Sequence, residues 1–131
     1  MRQFEIALQN KPGQLANVCE VLAKSGINIK SVSTEIRDET FGVVKILTED
    51  EKATRKALER AGFNFNEYEV ISVGLPDRPG ELSKISKKLA ESNINIESLQ
   101  ILDKSDGKVF LAMKVDNLSF AKKILEKMLA G

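Results

Sequence analysis

The chain has 131 residues, with 20 Lys plus Arg against 19 Asp plus Glu and a formal net charge of +1. Acids and bases are interspersed, which argues against nucleic-acid binding through a basic face. No apolar run approaches the length of a membrane span, and the first residues lack the apolar segment of a signal peptide, so a cytoplasmic protein with neither nucleic-acid nor membrane partners is expected. One cysteine and no histidine exclude disulfides within the chain and most metal sites, and no cofactor is expected.

Taken in order, Phe4, Ile6 and Leu8 alternate with Glu5, Ala7 and Gln9, the period of a half-buried strand. Asn10-Lys11 breaks it, and Pro12 suits the first position of a helix. Leu15, Val18, Cys19 and Leu22 then form one apolar helical stripe, in which Cys19 reads as a small core residue. Gly26 suits a left-handed C-terminal cap. Asn28 to Arg37 reads as a second strand anchored by Ile27, Ile29, Val32 and Ile36, and Phe41 to Leu47 as a third. Asp50 is placed to cap a second helix with a small inward face of Ala53, Ala57, Leu58 and Ala61, ended by Gly62. Phe63 to Leu75 is extended, but Glu67 and Glu69 fall on one parity within it. A continuous buried strand would not carry both, so the joint is placed near Tyr68, giving units 1–68 and 69–131.

The second unit repeats the first. Pro12 and Pro79, Gly13 and Gly80, and Asn28 and Asn95 are each 67 positions apart, and Pro12–Ser31 shares ten identities in twenty positions with Pro79–Ser98. Such a repeat fixes the architecture before anything else does. Ile71, Val73 and Leu75 correspond to Phe4, Ile6 and Leu8, and Pro79–Ser92 reads as a helix with Leu82, Ile85 and Leu89 inward. Asn95–Leu102 and Lys108–Val115 follow as strands, then a helix capped by Asn117 with Ala121, Ile124, Leu125, Met128 and Leu129 on its stripe. Gly131 aligns with Asn64, so the second repeat is expected to lack its last strand. Each repeat reads strand–helix–strand–strand–helix–(strand). The fold class is α+β: two ferredoxin-like βαββαβ repeats, with antiparallel sheets and helices on one face. That shape hosts many functions, so function must come from the site. The six Phe and one Tyr mostly fall on core parity, unlike the exposed aromatics of RNA-binding sheets. No nucleophile–base pair is visible, and a non-enzyme is expected.

At N-x-P-G-x-L and D-x-P-G-x-L, each followed about fifteen residues later by G-I-N-I or N-I-N-I, the sequence resembles the ACT domain, in an arrangement similar to stand-alone tandem ACT proteins. The resemblance implies a regulatory module that binds a small amino acid between ACT repeats and controls a metabolic enzyme or transporter. The regulatory domain of 3-phosphoglycerate dehydrogenase, which the chain also resembles, implies ligand contacts from Asn10 in one unit and from Asn28 or Asn95 in the other. Asp77 departs from that pattern, standing where a fourth Asn would. The alternative is a regulatory or assembly subunit, similar to an acetolactate synthase small subunit, whose ACT units mediate association without sensing a ligand.

The residues admit this chemistry. The first turn of a helix leaves unpaired N–H groups and a partial positive charge, so the loops Pro12-Gly13-Gln14-Leu15 and Pro79-Gly80-Glu81-Leu82 can take an α-carboxylate. The amide of Asn28 or Asn95 offers donor and acceptor together, and Asp77 would favour an α-ammonium. By type, Asn10 and Asp77 also suit N-terminal helix caps, and Gly26-Ile27-Asn28 and Asn93-Ile94-Asn95 also suit C-terminal caps. A site is expected where Asn10–Leu15 meets Asn95–Ile96, or where Asp77–Leu82 meets Asn28–Ile29. The vacant strand position beside Val70–Leu75 predicts a homodimer, in which each chain's Phe63–Tyr68 borders the partner's Val70–Leu75. Glu67 and Glu69 would then have to face solvent or a lysine.

Overall fold

The fold is described from a computed structural model, which defines residues 1–129. The chain divides into two compact units, Arg2–Tyr68 and Met1 together with Glu69–Gly131.

The first unit runs β1 (Arg2–Gln9), α1 (Gln14–Lys24), β2 (Ile29–Ile36), β3 (Phe41–Thr48), α2 (Glu51–Arg60) and β4 (Asn64–Glu69). Its sheet has the order β2-β3-β1-β4. β3 pairs antiparallel with β1 (Ile6 opposite Val44) and with β2 (Val32 opposite Ile46). Alternation along β1 sends Phe4, Ile6 and Leu8 to one face, where they join Val44 and Ile46 of β3 and Val18, Leu22, Ala57 and Leu58 of the two helices. Burying a side chain of this size contributes about 1.5–3 kcal/mol, so this face holds the unit together.

The second unit runs β5 (Ile71–Pro76), α3 (Glu81–Glu91), β6 (Ile96–Ser105), β7 (Lys108–Val115) and α4 (Leu118–Ile124), followed by a short 3-10 turn, Glu126–Met128. Its sheet has three strands, in the order β5-β7-β6. Ile71, Val73 and Leu75 meet Leu111 and Met113 of β7 and Ile85 and Leu89 of α3 in a second core. The architecture is two ferredoxin-like units, the second without its last strand. Among the described residues the outer side of β5 receives one bridge, between Val73 and Leu129.

Several local expectations are corrected. Cys19 and Leu15 are exposed. α1 buries Val18 and Leu22 and packs a half-buried Val21 against the same core, so Leu15 and Cys19 fall outside its contact face. Val32 and Ile36 are 49% and 60% exposed. They point to the helix side of the sheet, but β2 is its edge strand and the helices do not reach over it. On α2 the buried residues are Thr54, Ala57 and Leu58, with Ala53 half-buried against the same core, whereas Ala61 is exposed. Thr54 can be buried because its hydroxyl meets the Asp50 carbonyl and the Thr48 hydroxyl, each at 2.7 Å. The last helix ends at Ile124 and Leu129 is extended, because the chain turns there to meet β5. Of the phenylalanines only Phe4 is fully buried.

Glu67 does not break its strand. It accepts hydrogen bonds from Arg2 Nε and Arg55 Nη2, both at 2.7 Å, and from Arg55 Nε. These bonds, chiefly those from Arg55, hold the Glu67 carboxyl down at a pKa of about 2. Glu69 meets the N-terminal ammonium at 3.2 Å. Glu67 thus meets two arginines, and Glu69 meets the chain's amino end.

Candidate functional site

The two β–α loops are the same backbone built twice. In the first, the Asn10 N–H donates to the Thr40 carbonyl at 3.0 Å and the Lys11 N–H to Gln9 at 2.9 Å. In the second, the Asp77 N–H donates to Gly107 at 2.9 Å and the Arg78 N–H to Pro76 at 3.0 Å. Each loop closes on a left-handed glycine, Gly13 or Gly80, both with φ of 91°. That conformation is strained for a residue with a Cβ, which is why the glycine recurs. These glycines are the helix N-caps, and no side chain caps either helix. Asn10 and Asp77 are therefore not caps. Pro12 and Pro79 precede the caps rather than opening the helices, because the left-handed turn must be completed first. The first-turn N–H groups of Gln14 and Leu15, and of Leu82, are left without side-chain acceptors, the arrangement that suits an anion, whereas the Glu81 N–H reaches the Arg78 carbonyl at 3.5 Å.

The far ends of the helices also match. The Ile27 N–H donates to Leu22 and the Gly26 N–H to Ala23, both at 3.0 Å. The Ile94 N–H donates to Leu89 at 3.0 Å and the Asn93 N–H to Ala90 at 2.9 Å. This is a Schellman closure, with Gly26 (φ 68°) and Asn93 (φ 58°) at the left-handed position. Asn28 and Asn95 follow it with exposed side chains, while Ile29 and Ile96 pack against their cores. The Asn95 N–H is held by the Asp116 carboxylate at 2.9 Å.

Within a unit the two halves of the expected site are separated. Each lies at one end of an eleven-residue helix, about 16 Å long. Asn10, Pro12, Gly13, Gln14 and Leu15 line one hollow of about 280 Å³ together with Thr34, Ile36 and Gly42. Asp77, Glu81 and Leu82 line another of about 400 Å³, with Leu99, Ile101 and Lys104. Asn95 belongs to a third, of about 290 Å³, with Asn93 and Asp116. Thr34, Ile36, Leu99 and Ile101 escaped the sequence reading because strand alternation alone does not show where helix cover ends.

The electrostatics of the loops differ. Asn10 Nδ2 reaches the Asp38 carbonyl at 3.4 Å. The Asp38 carboxylate accepts from the Thr40 hydroxyl at 2.7 Å, the Thr40 N–H at 2.7 Å and the Phe41 N–H at 3.0 Å. These bonds, the Thr40 hydroxyl foremost, lower its pKa and fix the turn that presents the carbonyl. Asp77 Oδ1 lies 3.6 Å from Lys104 Nζ. Glu81 is 8% exposed, and its pKa is lowered, first by the Arg78 hydrogen bond. Among the described residues no helix is long and apolar enough to cross a membrane, and no cluster of metal-ligating side chains forms.

These features can be set beside known proteins. The chain is similar to protein BT0572 from Bacteroides thetaiotaomicron, with 26% identity and a TM-score of 0.90, covering 98% of this chain and 90% of that one. It shares its fold with the ligand-free regulatory subunit of aspartate kinase from Thermus thermophilus, with 18% identity and a TM-score of 0.67, covering 97% and 91%. The Thermus flavus regulatory subunit gives 18% identity and a TM-score of 0.67, covering 95% and 88%. No curated protein sequence matches the chain. The ACT domain model matches it twice, at residues 2–63 and 70–127. With both units matched over nearly their whole length, the chain belongs to the ACT-domain family as a tandem of two such domains.

Proposed function

We propose that the chain is a non-catalytic regulatory protein that binds a small amino acid at its β–α loops and controls a metabolic enzyme or transporter. The observation that supports this most is the duplicated loop itself, in which a left-handed glycine stands at the cap position and no side chain caps the first turn's N–H donors. An α-carboxylate fits those donors, and the amide of Asn28 or Asn95 suits the ligand's other end. Because loop and asparagine lie at opposite ends of each helix, the reading draws them from two different ACT units. Thermal-shift titration with each of the twenty amino acids tests it. One or a few should raise the melting temperature in a saturable way, and calorimetry should show Asn28→Ala or Asn95→Ala weakening that ligand by about 1–3 kcal/mol. Silence across all twenty, or unchanged affinity in both variants, would reject the site.

A second reading has its own support. Leu82, Leu99 and Ile101 in one unit, and Leu15, Val32 and Ile36 in the other, are exposed apolar side chains, as an association surface would need. β4 and β5 are each the edge strand of a sheet, which suits the homodimer in which each chain's Phe63–Tyr68 borders the partner's Val70–Leu75. On this reading the protein assembles with its partner enzyme without sensing a ligand. Sedimentation showing a monomer at all concentrations would remove the dimer.

A further inference from the structure

In the second unit α3 and α4 pack against each other. One flank of α3 carries Leu82, which borders a hollow with Leu99 and Ile101 of the edge strand β6. Helical periodicity puts Lys84, Lys88 and Glu91 on the opposite flank, toward α4, with Lys87 beside them facing solvent. One flank of α4 carries Lys122, which lines a hollow with Ile71 and Ser72 of β5. The opposite flank, with Phe120, Lys123 and, in the turn that follows, Lys127, faces back toward α3. Lys84 reaches Glu81 at 3.4 Å. Among the described residues Lys87, Lys88, Lys123 and Lys127 meet no carboxylate.

The first unit shows what the fold itself requires there. On α1 the positions 67 earlier hold Asn17, Glu20, Val21 and Lys24. Val21 packs against the core, as does Ala53 of α2, and Lys24 is held by Glu20 at 3.3 Å. That crevice is closed by apolar side chains, and the flank of α1 is neutral. In the second unit Lys88 stands in place of Val21, Lys87 in place of Glu20, and Phe120 in place of Ala53. Lys88 is exposed, and Phe120 is 43% exposed. One scaffold thus carries a sealed, neutral crevice and an open, basic one with an aromatic ring in it.

We propose, independently of the amino-acid reading, that the crevice between α3 and α4 docks an acidic segment of a partner protein, with Phe120 as the apolar anchor. Charge complementarity names the occupant. Lysines on both banks draw carboxylates and set the orientation of encounter, and an exposed aromatic among them supplies the apolar contact on which protein interfaces concentrate their binding energy. One ring in a narrow crevice offers too little apolar area to enter a bilayer. The lysines line a crevice rather than a broad basic face, so a nucleic-acid duplex is the poorer fit.

Amide NMR titration at low ionic strength, with a synthetic peptide of glutamate and leucine as the probe, reads the docking. The N–H signals of Ser83–Glu91 and Ser119–Lys123 should shift while those of Ala16–Lys24 and Lys52–Arg60 stay in place, and the affinity should fall as salt is added. Lys88→Val combined with Phe120→Ala copies the first unit into the second and should weaken the peptide roughly tenfold or more, as should Lys88→Glu combined with Lys123→Glu. All of these exchanges are at exposed positions, so the fold should persist. Silence toward the peptide overturns the proposal, as do shifts spread equally over both helix pairs or undiminished binding in either double variant. Tighter binding of duplex DNA or of phosphatidylserine vesicles than of the peptide overturns it in favour of those partners.

Discussion

Replacing Glu67 by Gln removes the charge at which Arg2 and Arg55 converge. The folded pKa is about 2 against an ordinary 4.5. Each unit of such a shift corresponds to about 1.4 kcal/mol, so the depression corresponds to about 3 kcal/mol before screening. Glu67 is 20% exposed and the two arginines 35% and 36%, and exposed pairs realise only part of the ideal value, leaving about 1–2 kcal/mol. Because the folded pKa lies below the unfolded one, the contribution is complete above pH 4.5 and is lost as pH falls toward about 2. Urea unfolding followed by circular dichroism should place the Glu67→Gln midpoint about 0.5–1 M below that of the parent near neutral pH, for an m-value of about 1–3 kcal/mol/M. The gap should close on acidification. Equal midpoints at neutral pH, or a gap that survives undiminished in acid, would show that the cluster adds nothing to stability.

Other substitutions have definite expectations. Gly42→Ala would place a Cβ 2.7 Å from the backbone oxygen of Glu35, forcing β2 and β3 apart, with a cost of about 1–3 kcal/mol measurable by denaturant unfolding. Asp50→Ala removes the acceptor of the Ala53 N–H and should cost about 1 kcal/mol in the same assay. Leu22→Ala, at a fully buried position, should cost about 2–5 kcal/mol. Cys19→Ser, at an exposed one, should stay within about 0.5 kcal/mol, a contrast that checks the narrow contact of α1 directly.

The repeat made the architecture readable, because the same turn chemistry recurs at one spacing and both copies obey it. Gly13 and Gly80 could be seen in the sequence as loop glycines, and the structure gives the reason in their shared left-handed φ. What the sequence misjudged was breadth of burial. Periodicity placed Leu15 and Cys19 inward, yet a helix lying on a sheet buries only the residues directly beneath it. Val32 and Ile36 were misjudged because edge strands expose positions whose parity is apolar. Thr54 was overlooked because its burial depends on two hydroxyl partners that converge only in three dimensions. Glu67 is the same lesson with charge: its arginines come from β1 and α2. At the candidate site the loop residues were legible one by one. Their division into separate hollows, and the pairing of Glu81 with Arg78, needed coordinates.

The single bridge from Leu129 to Val73 also sets a gradient of solvent exchange. β1 lies between two neighbours, β3 and β4, whereas β5 has β7 on one side and, among the described residues, that bridge alone on the other. Alternate amides along an edge strand point away from its partner. Deuterium should therefore enter the outward amides of Ile71–Pro76 well before their counterparts in Arg2–Gln9, which reach solvent only when β4 detaches or the first unit opens as a whole. Two strands with the same apolar alternation, 67 positions apart, would then differ in protection because of their neighbours.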